Sequence, residues 1–507
     1  MRIPLPLLLL VALAGSVRAE PFTQTQVLDQ SLISEVTGTA LRFMAPRTLE
    51  PISTAQLTLW GLRGLTTLDP RLSTDLTPQA LRLSLAGKPV LARPPAPEPD
   101  LQGWALSIAQ ISRAAWDVSD PIRRRGTEGV LRAFFDEMLN HLDPYSRYAA
   151  PAEAASDTQR RNGSAGLGIE LTRTGSFFLV RAVADGSPAA AAAIRPGDLL
   201  LEIDGQPLDG ADIGAANALI AGPESTQVTL TLRASQRGPR RVTLTRALFT
   251  PPTVFAQRQG DLLVIRITGF ARDTATALAR EISRPQPPGH PALGLVIDLR
   301  GNRGGLLRQA VESAETLVPH GLIASTAGRD PQAARSYEAN GTDLVPGLPV
   351  VVLVDGRTAS AAEVLAAALA DQRRAVVVGS ATLGKGLVQT ILPLPDGGAL
   401  SLTWSRILAP LGWPLQALGV LPQVCTSLGE DQLRRQLSEL SAGRQPLGAA
   451  LTHHREARAP IPPAAILEIR NACPADEGRG GDMIAAEVLI HAPAAYAAAL
   501  VPLQTAP

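Results

Sequence analysis

The sequence predicts a multidomain α/β protein. A helical N-terminal region leads into a core of alternating strands and helices, and a small strand-rich insert interrupts that core. Three observations carry this expectation. The 507 residues exceed one ordinary domain and suit three or four. Beyond Asp261, β-branched apolar runs such as Val350–Val354 alternate with helical patterns, as in a sheet covered by helices. Between Gly166 and Arg233 the runs shorten to alternating strands broken by Gly-Asp and Asp-Gly turns. Composition narrows the function. The net charge is +1 and 4% of residues are aromatic, so neither an electrostatic track nor a stacking platform for nucleic acid is present.

Taken from the N-terminus, Met1-Arg2, the apolar run 7–13 and Val17-Arg18-Ala19 form the positive start, hydrophobic middle and small-residue cleavage site of a secretory signal. Residues 1–19 are therefore expected to be removed on export to the periplasm. No later stretch reaches about 18 uncharged apolar residues, so stable membrane insertion is not expected. Residues 20–118 read as an N-terminal helical region with a proline-rich linker at 92–99. Residues 119–160 read as a helical segment of the core. Its helix is expected over 129–141, with Leu131, Phe134, Phe135, Met138 and Leu139 on one face, and it stops at Leu142-Asp143-Pro144-Tyr145-Ser146. An upstream helix through Leu57 and Trp60 stops likewise at Leu68-Asp69-Pro70; Asp-Pro is a common stop signal, a simpler reading than duplication. The insert takes 161–248. The α/β core takes 249–425, with strands at Leu262–Ile267, 293–299, Val350–Val354 and 375–378 and helices at Thr274–Ile282, 306–317 and 361–370. The helical, alanine-rich extension 426–507 offers no visible chemistry.

The chemistry starts from a compositional asymmetry. Only two lysines accompany 45 arginines, and one of them, Lys385, lies between Gly384 and Gly386. An arginine cannot give up its proton in a protein, whereas a desolvated lysine can become a base. A bias that replaced nearly every lysine would spare the one whose chemistry arginine cannot do. Ser360 follows the strand Val350–Val354 and the turn Gly356-Arg357-Thr358-Ala359, at the start of a helix whose amides and dipole favour negative charge. Ser-x-x-Glu is also the capping-box pattern, so taken alone Ser360-Ala361-Ala362-Glu363 reads as a cap. Its company changes that reading. Gln389 follows Lys385 by four residues, and the strand ending at Asp298 runs into Arg300-Gly301-Asn302-Arg303-Gly304-Gly305, a glycine turn whose amides could face an oxyanion.

With Leu142-Asp143-Pro144-Tyr145-Ser146 and an insert whose Gly166-Leu167-Gly168-Ile169 and turn order resemble a PDZ domain, these features closely resemble the carboxyl-terminal processing (tail-specific) serine proteases over about residues 120–425. The resemblance implies an α/β Ser-Lys protease core with an inserted PDZ domain. It implies Ser360 as nucleophile, Lys385 as general base, Gln389 orienting the lysine, and Ala361 N with an amide of Gly304 or Gly305 as oxyanion hole. It also implies that amides at Leu167, Gly168 and Ile169 hold a substrate's terminal carboxylate while its tail adds a strand. Partners are then proteins or peptides with free C-termini, with no metal or other cofactor; a homo-oligomer or an activating partner stays open. An ordinary lysine titrates near 10.4, so one acting as a base near neutral pH must have its charged form disfavoured by about 4 kcal/mol. Burial of Lys385 among Leu383, Leu387 and the flanking glycines is the expected source.

Two other functions fit parts of the pattern. Gly379 to Lys385 fits the start of a phosphate-binding loop, but Gly386 lacks the hydroxyl that magnesium needs and the next residues read as a strand. A PDZ-type binding protein without catalysis would have no reason to keep that lysine. His453-His454 reads as a solvated surface pair. Cys425 and Cys473, the two cysteines of an exported chain, are expected to be bonded, with consequences local to the tail.

Overall fold

The computed structural model describes residues 27–500 apart from 163–164, 176, 185, 209–211, 235–237, 249–251, 287–288 and 479; the expected signal segment lies outside the described residues. Four helices open the fold: α1 (Gln30–Met44), α2 (Thr54–Leu68), α3 (Leu101–Val118) and α4 (Asp120–Asn140). Asp29, Ser53, Asp100 and Ser119 start them, each side chain accepting the amide of the residue three positions on. A three-stranded antiparallel sheet (Leu72–Leu76, Leu81–Leu85 and Lys88–Arg93) joins them, so the region is not purely helical. The proline-rich stretch is packed, not loose: Pro97 O accepts the Trp104 indole at 3.1 Å, and Glu98 accepts Thr54 N. A single hydrophobic cluster joins Leu41, Leu57 and Trp104 to Phe135, Met138 and Tyr148. The boundary expected at 118 therefore has no counterpart in the packing, because α4 buries its apolar face against α2.

The insert is an antiparallel sheet of β1 (Ile169–Thr174), β2 (Phe177–Val183), β3 (Leu199–Ile203), β4 (Gln227–Arg233) and β5 (Pro239–Thr245), in the order β5-β4-β3-β2-β1, with α5 (Ile213–Ile220) packed beside β1. Its core is its own: Leu167, Phe178, Val180, Leu200, Ile203 and Leu230. Ala165 pairs with Leu248 and Gly166 with Ala247, so the insert enters and leaves at one neck.

The α/β core is built from β6 (Val254–Gln259), β7 (Leu262–Ile267), α6 (Thr274–Ile282), β8 (Gly294–Asp298), α7 (Leu307–Glu315), β9 (Gly321–Ala327), β10 (Arg335–Ala339), β11 (Val350–Val354), α8 (Ala361–Asp371), β12 (Val376–Gly379), β13 (Leu387–Pro393), β14 (Ala399–Leu408) and β15 (Val424–Cys425). The main sheet runs β6-β7-β8-β11-β12-β15, parallel from β7 onward; a second, antiparallel sheet runs β10-β9-β14-β13. Helices α6, α7 and α8 cover one face of the main sheet, over Ile265, Ile297 and Val352. Unbroken apolar strands require cover on the other face as well.

The extension supplies it. Helices α9 (Glu430–Ser441), α10 (Gly448–Glu456), α11 (Pro463–Asn471), α12 (Gly481–His491) and α13 (Pro493–Ala499) follow β15. Leu433, Leu440, Ala485, Leu489 and Ala499 pack on Val264, Val296, Val351 and Val376. His454 corrects an expectation: it is not a surface group but is 2% exposed, packed against Trp413, with Nε2 bound to Gly419 O at 2.8 Å. Beside it, a buried Arg455–Asp371 ion pair accepts the Trp413 indole as well. The helical pattern of 448–456 hid this, because one histidine of the pair faces inward and the other out.

Candidate active site

The strand β11 ends in a turn closed by Asp355, whose Oδ1 accepts the amides of Gly301, Arg357 and Thr358 at 2.9, 3.0 and 2.9 Å. That turn delivers Ser360 to the N-terminus of α8 with φ 58° and ψ −119°. A non-glycine residue adopts such a conformation at a cost of about 1–3 kcal/mol, and it persists only where its surroundings enforce it. Three hydrogen bonds do so here. Ala359 N donates to Asn302 O at 2.9 Å, Ser360 N to Glu363 Oε2 at 2.7 Å, and Val364 N to Ser360 O at 3.1 Å. The half-buried Ser360 side chain is thus set at a helix N-terminus.

Asn302 places the glycine turn against it. Its Nδ2 donates to Ile267 O and its Oδ1 accepts Gly304 N, both at 2.8 Å. A Cβ on Gly304 would stand 2.9 Å from Ser360 Cβ and 3.0 Å from Ala361 N; one on Gly305 would meet Phe270 O at 2.2 Å. Only glycines leave that approach open.

Lys385 arrives from the other side. Glu363, which the sequence presented only as a cap, accepts four donors: Ser360 N, Thr382 Oγ1 at 2.5 Å, Gly384 N at 2.6 Å and Lys385 N at 2.9 Å. Leu383 N donates to Thr358 O at 3.0 Å. One buried carboxylate therefore ties the backbone of the serine corner to that of the lysine loop. Burial pushes its carboxyl up from the ordinary range, opposed by the Thr382 hydroxyl and the three amides. The capping-box spacing could have flagged this residue, but nothing local announces partners some twenty positions ahead.

The Lys385 side chain is half-buried, its Nζ 5.0 Å from the centre of the Tyr145 ring. The expected burial is only partly there: Leu387 is buried, whereas Leu383 is 47% exposed because its backbone, not its side chain, turns inward to Thr358. Gln389 lies on β13 with its amide donating to Thr403 Oγ1 at 3.1 Å, so in this structure it is held by Thr403. In the insert, Leu167 is fully buried; Leu167 O and Gly168 O accept Ala189 N and Ala184 N, and Gly168 has φ 73°. β1, which begins at Ile169, is an edge strand, and among the described residues no strand pairs with its outer side.

Cys425 and Cys473 are joined. The segment that starts at Cys473 reaches the loops before Lys385 and Ser360: Ala381 N donates to Cys473 O at 3.4 Å, Gly356 N to Asp476 O at 2.7 Å and Ser380 Oγ to Asp476 O at 2.9 Å. The extension is not remote from the chemistry, and the link is not local to the tail. No helix among the described residues is long and apolar enough to cross a membrane.

The chain resembles known proteins over this same region. A model described as Peptidase family S41 matches residues 261–426, and one for a PDZ domain matches 179–234. The carboxy-terminal-processing protease of Bartonella bacilliformis is 35% identical over 315 residues, which is 59% of this chain and 72% of that protein. The carboxyl-terminal-processing protease of Synechocystis sp. is 34% identical over 315 residues, 60% of this chain and 72% of that one. Among solved structures, the photosystem II D1 C-terminal processing protease aligns with a TM-score of 0.42 at 25% identity, covering 81% of this chain and 97% of that chain.

Proposed function

The chain belongs to the carboxyl-terminal processing proteases, serine-type peptidases of family S41 that carry a PDZ domain, and within that family we propose that Ser360 is its nucleophile and Lys385 its general base. The observation that supports this pairing best is Glu363, whose carboxylate binds the backbone N–H of both residues and so fixes the two loops as one unit. Neutral Lys385 takes the Ser360 hydroxyl proton as Oγ bonds to the peptide carbonyl carbon. The resulting oxyanion faces Ala361 N and a glycine amide. Gly304 N already donates to Asn302, which favours Gly305 N as the second donor. The Lys385 ammonium then protonates the leaving amine, and water, deprotonated by Lys385 in turn, releases the acyl group from Ser360. Gln389, bonded to Thr403 on β14, stands on the strand that follows Lys385.

The PDZ domain binds peptide. We infer that the part it reads is a free C-terminus, with amides at Leu167, Gly168 and Ile169 facing the carboxylate and the tail pairing with the open edge of β1. Export is the location we propose, on the signal-like residues 1–19 and the joined cysteines. Ser360→Ala tests the assignment directly. Cleavage of an unstructured peptide should fall about 10³-fold or more, with tail binding unchanged; cleavage near the wild-type rate would remove Ser360 as nucleophile.

A further inference from the structure

The sequence Leu142-Asp143-Pro144-Tyr145-Ser146 closes α4, and the mechanism gives it no work; yet it lies against the base. The Tyr145 ring centre is 5.0 Å from Lys385 Nζ, and among the described residues no carboxylate is paired with that ammonium. The loop is pinned on several sides. Asp143 Oδ1 accepts Tyr145 N at 2.8 Å, Ser146 N at 3.0 Å and Thr403 Oγ1 at 2.7 Å, while Asp143 Oδ2 accepts Ser146 Oγ at 2.6 Å. Thr403 N donates to Ser146 Oγ at 2.9 Å. Thr403 sits on β14 opposite Gln389 on β13, the strand that begins two residues after Lys385. The loops that carry ring and lysine are therefore both tied to the same pair of strands, β13 and β14.

From this placement we propose that Tyr145 is a positioning residue whose ring face holds the Lys385 side chain at the serine corner and favours the ammonium formed when Lys385 takes the Ser360 proton. A ring face attracts a cation within about 6 Å. A lysine stem has several rotatable bonds and no rigid fork, so without a partner its amine would sample many positions. The effect grows as the amine gains charge, so it acts on the step that forms the ammonium from the neutral amine, and kcat on the high-pH plateau, where Lys385 rests neutral, reads it more than KM does. The phenol stays protonated: burial, with Glu363 and Asp143 nearby, pushes it up from its ordinary value. It is the ring that faces Lys385 Nζ.

The inference rests on the reading of Lys385 as base, and the test separates the two. Ser360 labelling by a fluorophosphonate and peptide hydrolysis are measured for Tyr145→Phe, Tyr145→Leu and Lys385→Ala, and for Tyr145→Leu combined with Lys385→Ala. Tyr145→Phe should stay within about 3-fold of wild type. Tyr145→Leu should lose about 3- to 30-fold in kcat on the high-pH plateau with KM little changed, and it should cause no further loss once Lys385 is alanine. Replacing Tyr145 by pentafluorophenylalanine, which keeps the shape but withdraws charge from the ring face, should reproduce the leucine loss even if the leucine variant does not fold. Equal rates for the phenylalanine and pentafluorophenylalanine variants, or the same loss from Tyr145→Leu with Lys385 absent, would overturn the role of Tyr145 and leave the dyad standing. Wild-type labelling in Lys385→Ala would overturn both.

Discussion

The catalytic half and the PDZ domain of this chain are opposites in how far they are covered. The main sheet has helices on both faces, and the α8 segment that carries Ser360 is buried along almost its whole length. Among the described residues the PDZ sheet leaves the outer side of β1 without a partner strand, beside a short helix whose Ile213 and Leu219 stay exposed. A site that must hold a nucleophile in a costly backbone conformation needs surroundings that cannot relax. A site that must accept many tails needs a vacant strand edge and little else. The difference predicts that changes in the closed half cost catalysis or stability and spare tail binding, and that changes at the open edge do the reverse.

Lys385→Arg is the severest way to break that division. It keeps charge and approximate size but cannot deprotonate, so hydrolysis should fall about 10³-fold while the affinity for a free-acid tail peptide stays the same. A variant that still cleaves would make Lys385 structural. Cys473→Ser comes next. Opening a link that spans 48 residues should cost up to about 4 kcal/mol in the chain-entropy model. Because Cys473 O and Asp476 O accept amides from the loops before Lys385 and Ser360, kcat should fall with the stability. Thermal unfolding and hydrolysis measured on the same sample check this, and an unchanged kcat would mean that the extension only covers the sheet.

The open half is probed by its ligand. Amidating a peptide's C-terminus should weaken its binding about 10-fold or more, by removing the charge that the loop amides face, and should leave the rate at saturation alone. Equal cleavage of acid and amide would take tail recognition out of the PDZ domain. The smallest effect is a pH slope in the closed half. Burial holds the His454 imidazole down at about 3, against an ordinary 6.5, with Arg455 and Arg470 adding to it. The unfolded chain therefore binds a proton that the folded one refuses. Stability from this group is complete above about 6.5 and is lost as pH falls from there toward 3, at up to about 1.4 kcal/mol per pH unit. Melting temperatures at pH 7.5 and 5 should differ less in His454→Gln than in the parent.

Much of this was legible in the sequence, for physical reasons that also mark where reading stops. Strand and helix patterns after Asp261 are periodic and local, and β11, α6 and α8 stand within a residue of where periodicity puts them. Ser360 and Lys385, the proposed dyad, stand out in the sequence because a strand-to-helix corner and a lone glycine-flanked lysine are local signals. Glu363 was visible only as a cap, since its bonds to Thr382, Gly384 and Lys385 arise when two loops meet. The inward turn of His454 and the outward turn of Leu383 depend on what packs above them. The reach of residues 473–476 to the catalytic loops lay beyond any spacing argument, because carbonyl acceptors carry no sequence signature.

That last contact sets an order of events. A ribosome makes the chain from its N-terminus, so Ser360, Lys385 and Glu363 all exist before Cys473 and Asp476 have been synthesised. During that interval the loops that carry the dyad lack the carbonyls that dock them, and afterwards they still await the oxidation that closes the link. A corner that borrows carbonyls from residues 473–476 is thus put together by chain made more than a hundred residues after the serine it supports.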